Sequence, residues 1–357
     1  MSEIISTEAP ADYQRDEQSE KLVRFMDKLH ADEIFANEES KREYLKNLTF
    51  DEFKNLLMAT NSLLRDIPVK QREIDGKEVF LNGPLEQIYP PEYDDKEPLL
   101  QELFANIQNM NQENRSLEDM AILTSITINA VHPFNDGNGR TSRLVYQLLA
   151  EDYNGNAGQK EELTQVLGED GRMYKHDISP ELLTWELGDL LRKKYLGTNQ
   201  LQSMPMGFSA ENNISFHDYQ EEVNKTLESN TALDKSDCDY LKTFFSRPDS
   251  QSPTLYALSK FLRENDKVDR YLRVFSSGKS RISIDALSGD LTHEDVQKIK
   301  NNYQEIRKFE VELLMDIIVH PDHYPVDQGE DRTILDNLKS EIARGIENGD
   351  KNRSLKQ

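Results

Sequence analysis

Cysteine is nearly absent from this chain: Cys238 is the only one in 357 residues. That excludes an intrachain disulfide framework and a multi-cysteine zinc site. No run of ~18 or more apolar residues occurs, so nothing is expected to span a bilayer. Cations are scarce relative to anions, 43 Lys+Arg against 66 Asp+Glu, which leaves a formal charge of −23. Nonspecific nucleic-acid binding and docking on acidic membranes require the opposite balance, so neither partner is expected. The start, MSEIISTEAPADYQ, has no basic region leading into an apolar stretch and does not read as a secretory signal.

What is present is periodic. At ~100–200 residues per domain the length suggests two or three domains. Residues 1–19 are acidic, have no usable apolar period and are expected to form a mobile arm. Leu22, Val23, Phe25, Met26 and Leu29 open a helical pattern, and Phe53, Leu56, Leu57 and Leu63 continue it within Phe50–Leu64. Asp75-Gly76 between two short apolar stretches is a hairpin signal, because Gly supplies positive φ in a primed turn. A small ribbon is therefore expected at ~72–82. Helices resume at Pro98. Ser116-Leu-Glu-Asp119 looks like a capped helix start, and Met120–Val131 has no charge, as a buried central helix would. After residue 140 a further helix places Leu144, Val145, Leu148 and Leu149 on one face. The stretch 197–213, rich in Gly, Ser, Asn, Gln and Met, reads as a linker. Beyond it, amphipathic patterns at Tyr219–Leu227, Cys238–Phe245, Leu255–Leu262, Val296–Ile318 and Ile334–Ile346 suggest a separate all-α domain over 214–357.

Between the buried helix and the next lies His132-Pro-Phe-Asn-Asp-Gly-Asn-Gly-Arg-Thr-Ser-Arg143. Gly137 and Gly139 let the backbone turn and approach a ligand closely. Their N–H groups, with those of the next helix start, can form a nest for phosphate oxygens. Arg140 and Arg143 stand one helical turn apart and can reach the same anion. Asp136 is a hard oxygen ligand suited to Mg²⁺, His132 is a base that titrates near neutrality, and Phe134 would anchor the loop in the core. Together these parts suit phosphoryl or nucleotidyl transfer. The plain alternative is a Gly-rich turn of purely structural value. Nine specified positions at ~5% each, over a few hundred start points, give a chance expectation on the order of 10⁻⁹. The string is neither a Walker A loop nor an EF-hand, since no Gly-Lys-Ser/Thr follows and the sixth and twelfth positions from Asp136 are Thr141 and Gln147.

The string resembles the signature of the Fic family, His-Pro-Phe-x-(Asp/Glu)-Gly-Asn-Gly-Arg-x-x-Arg, at every specified position. The ribbon around Lys77, Glu78, Val79, Phe80 and Leu81, followed by Tyr89-Pro-Pro, is similar to the family's target-docking flap, and the helix after it also fits. The resemblance covers residues 20–196. It implies a mainly α fold, with a Fic-type helical core and a small β-hairpin flap, to which the C-terminal helical domain is appended. It further implies transfer of AMP from ATP to a Tyr, Thr or Ser hydroxyl of a target protein, with release of pyrophosphate. In that scheme His132 deprotonates the hydroxyl and Asp136 holds Mg²⁺. Phe134, Gly137, Asn138, Gly139, Arg140 and Arg143 make up the nucleotide-binding loop, with the glycines and Asn138 as the anion nest. The flap residues 77–81 would take the target segment as an added strand.

Alternatives within the resemblance are transfer of another phosphate-containing group or removal of AMP. Outside it stands a nucleotide-binding adaptor acting through the C-terminal domain. Because both loop glycines are present, AMP transfer is preferred. The family's inhibitory string, Ser/Thr-x-x-x-Glu-Gly/Asn, is not found; Ser259–Asn265 is one residue too long. Restraint is thus expected to be absent in cis, or to come from a separate inhibitor or self-association. His132 follows a helix C-terminus, whose dipole favours the protonated ring while bound Mg²⁺ would oppose it, and the rate is expected to climb from about pH 6 to 8 as the imidazole proton is lost. His320-Pro-Asp-His323 reads as a surface or capping element, and Cys238 as inert. The expected location is a reducing cytosol, bacterial, or that of a host if the protein is exported without a cleaved signal.

Overall fold

A computed structural model of the chain describes residues 24–65, 90–156, 216–245, 291–326 and 332–354, together with 183, 187, 190–191, 194, 260–261, 272–274 and 280–282. The expected acidic arm, the flap residues 77–81 and the linker 197–213 lie outside the described residues. Helices dominate, as expected: α1 (Ala31–Ile34), α2 (Glu38–Asn47), α3 (Phe50–Arg65), α4 (Tyr93–Gln112), α5 (Leu117–Val131), α6 (Asn138–Ala150), α7 (Phe216–Ser229), α8 (Lys235–Phe245), α9 (His293–Val319) and α10 (Ile334–Ser354). The C-terminal region, expected to be all-α, also carries one short antiparallel pair. Its strands, β1 (Leu272–Val274) and β2 (Ser280–Ile282), match Leu272 with Ile282 and Val274 with Ser280. Among the described residues no helix is long and apolar enough to cross a membrane.

Local chemistry sets the helix starts. Thr49 and Glu52 exchange bonds reciprocally, the Thr49 N–H donating to Glu52 Oε2 and the Glu52 N–H to Thr49 Oγ1. The pairs Thr292–Asp295 and Thr333–Asp336 repeat the device with a shorter carboxylate. Each satisfies two otherwise orphaned N–H groups. At Thr292 this starts α9 at His293, a turn before the apolar pattern begins at Val296.

The described residues fall into two compact units. One takes in those of Met1–Val79, Glu92–Leu182 and Leu314–Gln357, the other those of Phe80–Pro91 and Leu183–Leu313. In the first, α5 is buried along almost its whole length, from Asp119 through Val131. It packs between α4 and α6, in which Leu99, Leu100, Leu103 and Ile107 of α4 and Leu144, Leu148 and Leu149 of α6 are buried. Phe50 and Phe53 meet Phe104, with ring centroids 6.0 and 5.5 Å apart, and bring α3 onto α4. In the second unit Leu227, Leu241, Phe261, Val296, Ile299 and Ile306 are buried.

The C-terminal segment is fastened to the first unit by charge as well as by burial. Arg115, between α4 and α5, donates from Nη1 to the Val319 carbonyl at 2.9 Å and from Nη2 to the Ile318 carbonyl at 3.2 Å. Those are the orphaned carbonyls at the end of α9, where a cation also suits the helix dipole. Asp119 completes the cluster, with Arg115 Nη2 at 3.6 Å and Lys339 of α10 at 2.5 Å. Arg115→Ala is expected to cost about 2 kcal/mol, the scale of a charged hydrogen bond to backbone. Hydrogen exchange should show faster amides at the end of α9 and in α10, and unchanged protection there would refute this role.

Candidate active site

The loop from His132 to Arg143 joins the C-terminus of α5 to the N-terminus of α6. His132 caps α5 in the left-handed region (φ 50°, ψ 58°), its N–H donating to the Ile128 carbonyl at 3.0 Å. Its own carbonyl accepts a 2.9 Å bond from the ammonium of Lys96, which is fully buried. Phe134 is 1% exposed and anchors the turn, as its place in the sequence suggested. Asn138 then closes the loop: its side-chain oxygen accepts from the Phe134 N–H at 3.0 Å, and its side-chain amide donates to the Phe134 carbonyl at 2.6 Å. The Asn138 side chain is thus committed to loop shape, and only its backbone is offered to a ligand.

From Gly137 onward the geometry favours an anion. Gly137 caps α6 at φ 80°, a conformation that costs glycine least, and the cap supplies no side-chain bond to the helix start. The first turn of α6 contains no acidic residue. Both arginines turn back toward it. Arg140 Nη2 lies 3.4 Å from Asp136 Oδ2, and a Cβ added at Gly139 would stand 3.4 Å from Arg143 Nη1. Two guanidinium groups therefore share a helix end that is already electropositive. Asp136 is the exposed acidic group on the loop; its Oδ1 accepts from the Gly137 N–H at 2.7 Å. Beneath the loop, Asn61 of α3 donates to the Asp136 carbonyl at 2.8 Å and to Thr141 Oγ1 at 3.3 Å.

Residues 43–150, which include this loop, match the family model described as Fic/DOC family. This segment is a Fic/DOC domain. No curated protein and no solved structure matches the chain. The Fic/DOC segment holds His132, Phe134, Asp136, Gly137, Asn138, Gly139, Arg140 and Arg143 in one loop and helix start, as the spacing required. The flap residues are within the matched span but outside the described residues.

The imidazole departs from expectation. His132 is 8% exposed, and burial is the main cause that lowers its pKa to about 4, with the Lys96 charge second. A ring hydrogen bond to the Asn129 backbone and the Asp136 charge push the other way and lose. Desolvation and the buried Lys96 cation thus outweigh the dipole of the helix end, and the shift has the opposite sign to the one expected. The ring is neutral throughout pH 6–8, so no rise in rate across that interval follows from His132 in the free protein.

Lys96 is the residue that sequence reasoning missed. The sequence pattern has helices resuming at Pro98. The helix in fact begins at Tyr93 and contains Pro98, and the additional turn delivers Lys96 to the end of α5. A lysine flanked by Asp95 and Glu97 reads as a solvated charge, and nothing in the local sequence marks it as buried.

Two other clusters carry less. Asp234, Asp237 and His293 offer ligand atoms within 4.8 Å of one another, but Lys300 already places a cation 3.8 Å from the buried Asp237. His320 and His323, both exposed, stack at 5.3 Å beside a 3-10 turn; His320 stands at its N-cap without a side-chain cap bond, so of the two expected readings the surface one describes them. Cys238 makes only a weak contact with the Leu227 carbonyl, and burial raises its pKa, which leaves it unactivated.

The low pKa has a measurable consequence for stability. Above pH 6.5 the ring is neutral whether the chain is folded or unfolded, and the neutral-ring contribution is complete. Between about 6.5 and 4 the unfolded chain binds the proton and the folded one does not, so stability falls as pH falls, by up to ~1.4 kcal/mol per unit from this group. Thermal unfolding across that window should therefore show a steeper acid loss in the wild type than in His132→Gln. Equal slopes would mean that the ring is not held neutral.

Proposed function

We propose that the protein transfers AMP from ATP to a hydroxyl side chain of a target protein and releases pyrophosphate. The observation that carries this reading is the pairing, on one loop, of a neutral imidazole with a helix start that two arginines make strongly electropositive. A neutral ring can accept a proton, and the helix start can hold a polyphosphate leaving group. One ring nitrogen of His132 donates to the Asn129 backbone, so the other carries the lone pair.

The acceptor hydroxyl gives its proton to that lone pair as its oxygen forms a bond to the α-phosphorus. The bond from the α-phosphorus to the α–β bridging oxygen breaks, and its electrons leave with pyrophosphate. Arg140, Arg143 and the first N–H groups of α6 hold the charge that builds on the departing oxygens. The donor set suits Mg²⁺. Asp136 offers a carboxylate oxygen in solvent, and its 3.4 Å contact with Arg140 is a surface pair worth at most ~1 kcal/mol, readily exchanged. When bound there beside the phosphates, the metal would neutralise part of their charge. A target segment would be positioned by the flap, and the adaptor alternative would leave the base without a task.

The deciding experiment supplies ATP labelled on either the α- or the γ-phosphate, with lysate as the source of targets. Protein-bound α-label is expected; γ-label would assign phosphorylation instead, and no label would favour the adaptor. His132→Ala should lose at least ~100-fold of the transfer rate. kcat/KM, which reports the free enzyme, is expected to be flat from pH 6 to 8 because the His132 ionisation lies at about 4.

Gly139→Ala separates binding from folding. The added Cβ would meet Arg143 Nη1 at 3.4 Å and Asn129 Oδ1 at 3.9 Å, ordinary contacts, and Ala favours a helix. Stability should hold or rise slightly, whereas ATP affinity should fall roughly tenfold as a phosphate loses close approach to the backbone. Calorimetry showing unchanged affinity would remove the second glycine from the anion nest.

A further inference from the structure

We propose that Lys96 is a positioning residue of the transfer reaction: its buried ammonium grips the His132 carbonyl and fixes the backbone that presents the imidazole to the acceptor hydroxyl. This rests on the function proposed above. Three observations on separate levels converge on it.

The first is backbone strain. His132 is neither glycine nor asparagine, yet it has φ 50° and ψ 58°, a region that costs an L-residue roughly 1–2 kcal/mol. It also precedes Pro133, and a residue before proline is normally driven to extended geometry. Such a conformation persists only when the surroundings over-determine it. Lys96 holds the one peptide group, the His132 carbonyl, whose direction that ψ angle sets.

The second is the site's burial. Lys96 is 0% exposed, and removing an ammonium from water costs several kcal/mol after relaxation. An apolar residue would fill the same place between α4 and α5 without that cost. It would, however, leave the buried His132 carbonyl without this donor, so the charge is tied to the residue that carries the imidazole.

The third is electrostatic. The groups facing His132 are Lys96 from α4, Asp136 from the loop and the Asn129 backbone from its own helix, with Arg140 and Arg143 on α6 beyond them. Lys96 is the charge that disfavours ring protonation most strongly, after burial itself. The same contact thus orients the ring and keeps its lone pair available.

The test compares Lys96→Met, which removes the charge and the donor at similar length, with Lys96→Arg, which retains both. Each variant is assayed for nucleotide transfer, and the His132 ring resonance is followed by NMR against pH. In Lys96→Met, kcat should fall ~10- to 100-fold with the KM for ATP changed less than about twofold, the pattern of a displaced catalytic group. The ring resonance should titrate at higher pH than in the wild type, and Lys96→Arg should recover most of kcat. Unchanged kcat in a folded Lys96→Met, or a loss confined to KM, would overturn the proposal. Should Lys96→Met fail to fold, Lys96→Gln, a neutral donor, must show the same split or the proposal fails. If the wild type transfers no label, the function reading falls by itself. The resonance comparison then still decides the contact, because an unmoved titration in the folded variant would overturn the part given to Lys96.

Discussion

A helix that ends inside a protein leaves its last carbonyls without water, and some other group must satisfy them. α5 ends in this way, buried on nearly every side and terminating at the residue that carries the imidazole. Lys96 answers that constraint on the His132 carbonyl. The solution recurs twice in the same unit. Lys41, 1% exposed, donates to the Leu149 and Glu151 carbonyls at the end of α6, and Arg115 serves the end of α9. Each cation meets a helix C-terminus, where the dipole is favourable, so the desolvation cost is offset by carbonyls that would otherwise stand unpaired. At α5 the same arrangement has a chemical consequence, since the capped residue is the proposed base.

At the start of α6 the logic is reversed. Acidic side chains stabilise a helix N-terminus, yet the first turn here has none, and Arg140 and Arg143 point toward it. That is an arrangement against stability. Asp136 relieves only part of it, through an exposed pair at 3.4 Å. A ligand of opposite sign would relieve such charge, and the triphosphate of the proposed function would bring both the charge and the acceptor oxygens. The Asn138 side chain, tied to both backbone groups of Phe134, fixes the turn that leads into this helix start.

Much of this was legible in the residues themselves. The charge-free Met120–Val131 run announced a central buried helix, and the twelve-residue string announced the site, because both are local patterns. The ends of elements were harder. The Thr292–Asp295 box begins α9 a turn before the apolar residues that reveal it, and Tyr93–Glu97 extends α4 past a proline that usually marks a start. Lys96 was illegible for a deeper reason: whether a lysine is solvated or buried depends on what crosses it in space. The His132 ionisation inherited the same blindness. Its sign follows from desolvation and from Lys96, neither of which is written near position 132. Attachment of the C-terminal segment through Arg115 and Asp119 is likewise a long-range fact, linking residues some 200 positions apart.

The overall charge of −23 repels a polyphosphate only over the distance that salt leaves unscreened. At physiological salt the Debye length is about 8 Å, so carboxylates spread over the surface are largely screened from the loop. The arginines and the helix end act at hydrogen-bonding range, where screening by salt is weak. A small anion that fits wholly within that range feels the local positive field. A long polyanion must lay its remaining charges against the acidic surface, and the net balance turns against it. On the proposed function, composition and loop would act together: the acidic surface disfavours a long polyanion, while the loop's local field would suit a ligand as small as a nucleotide.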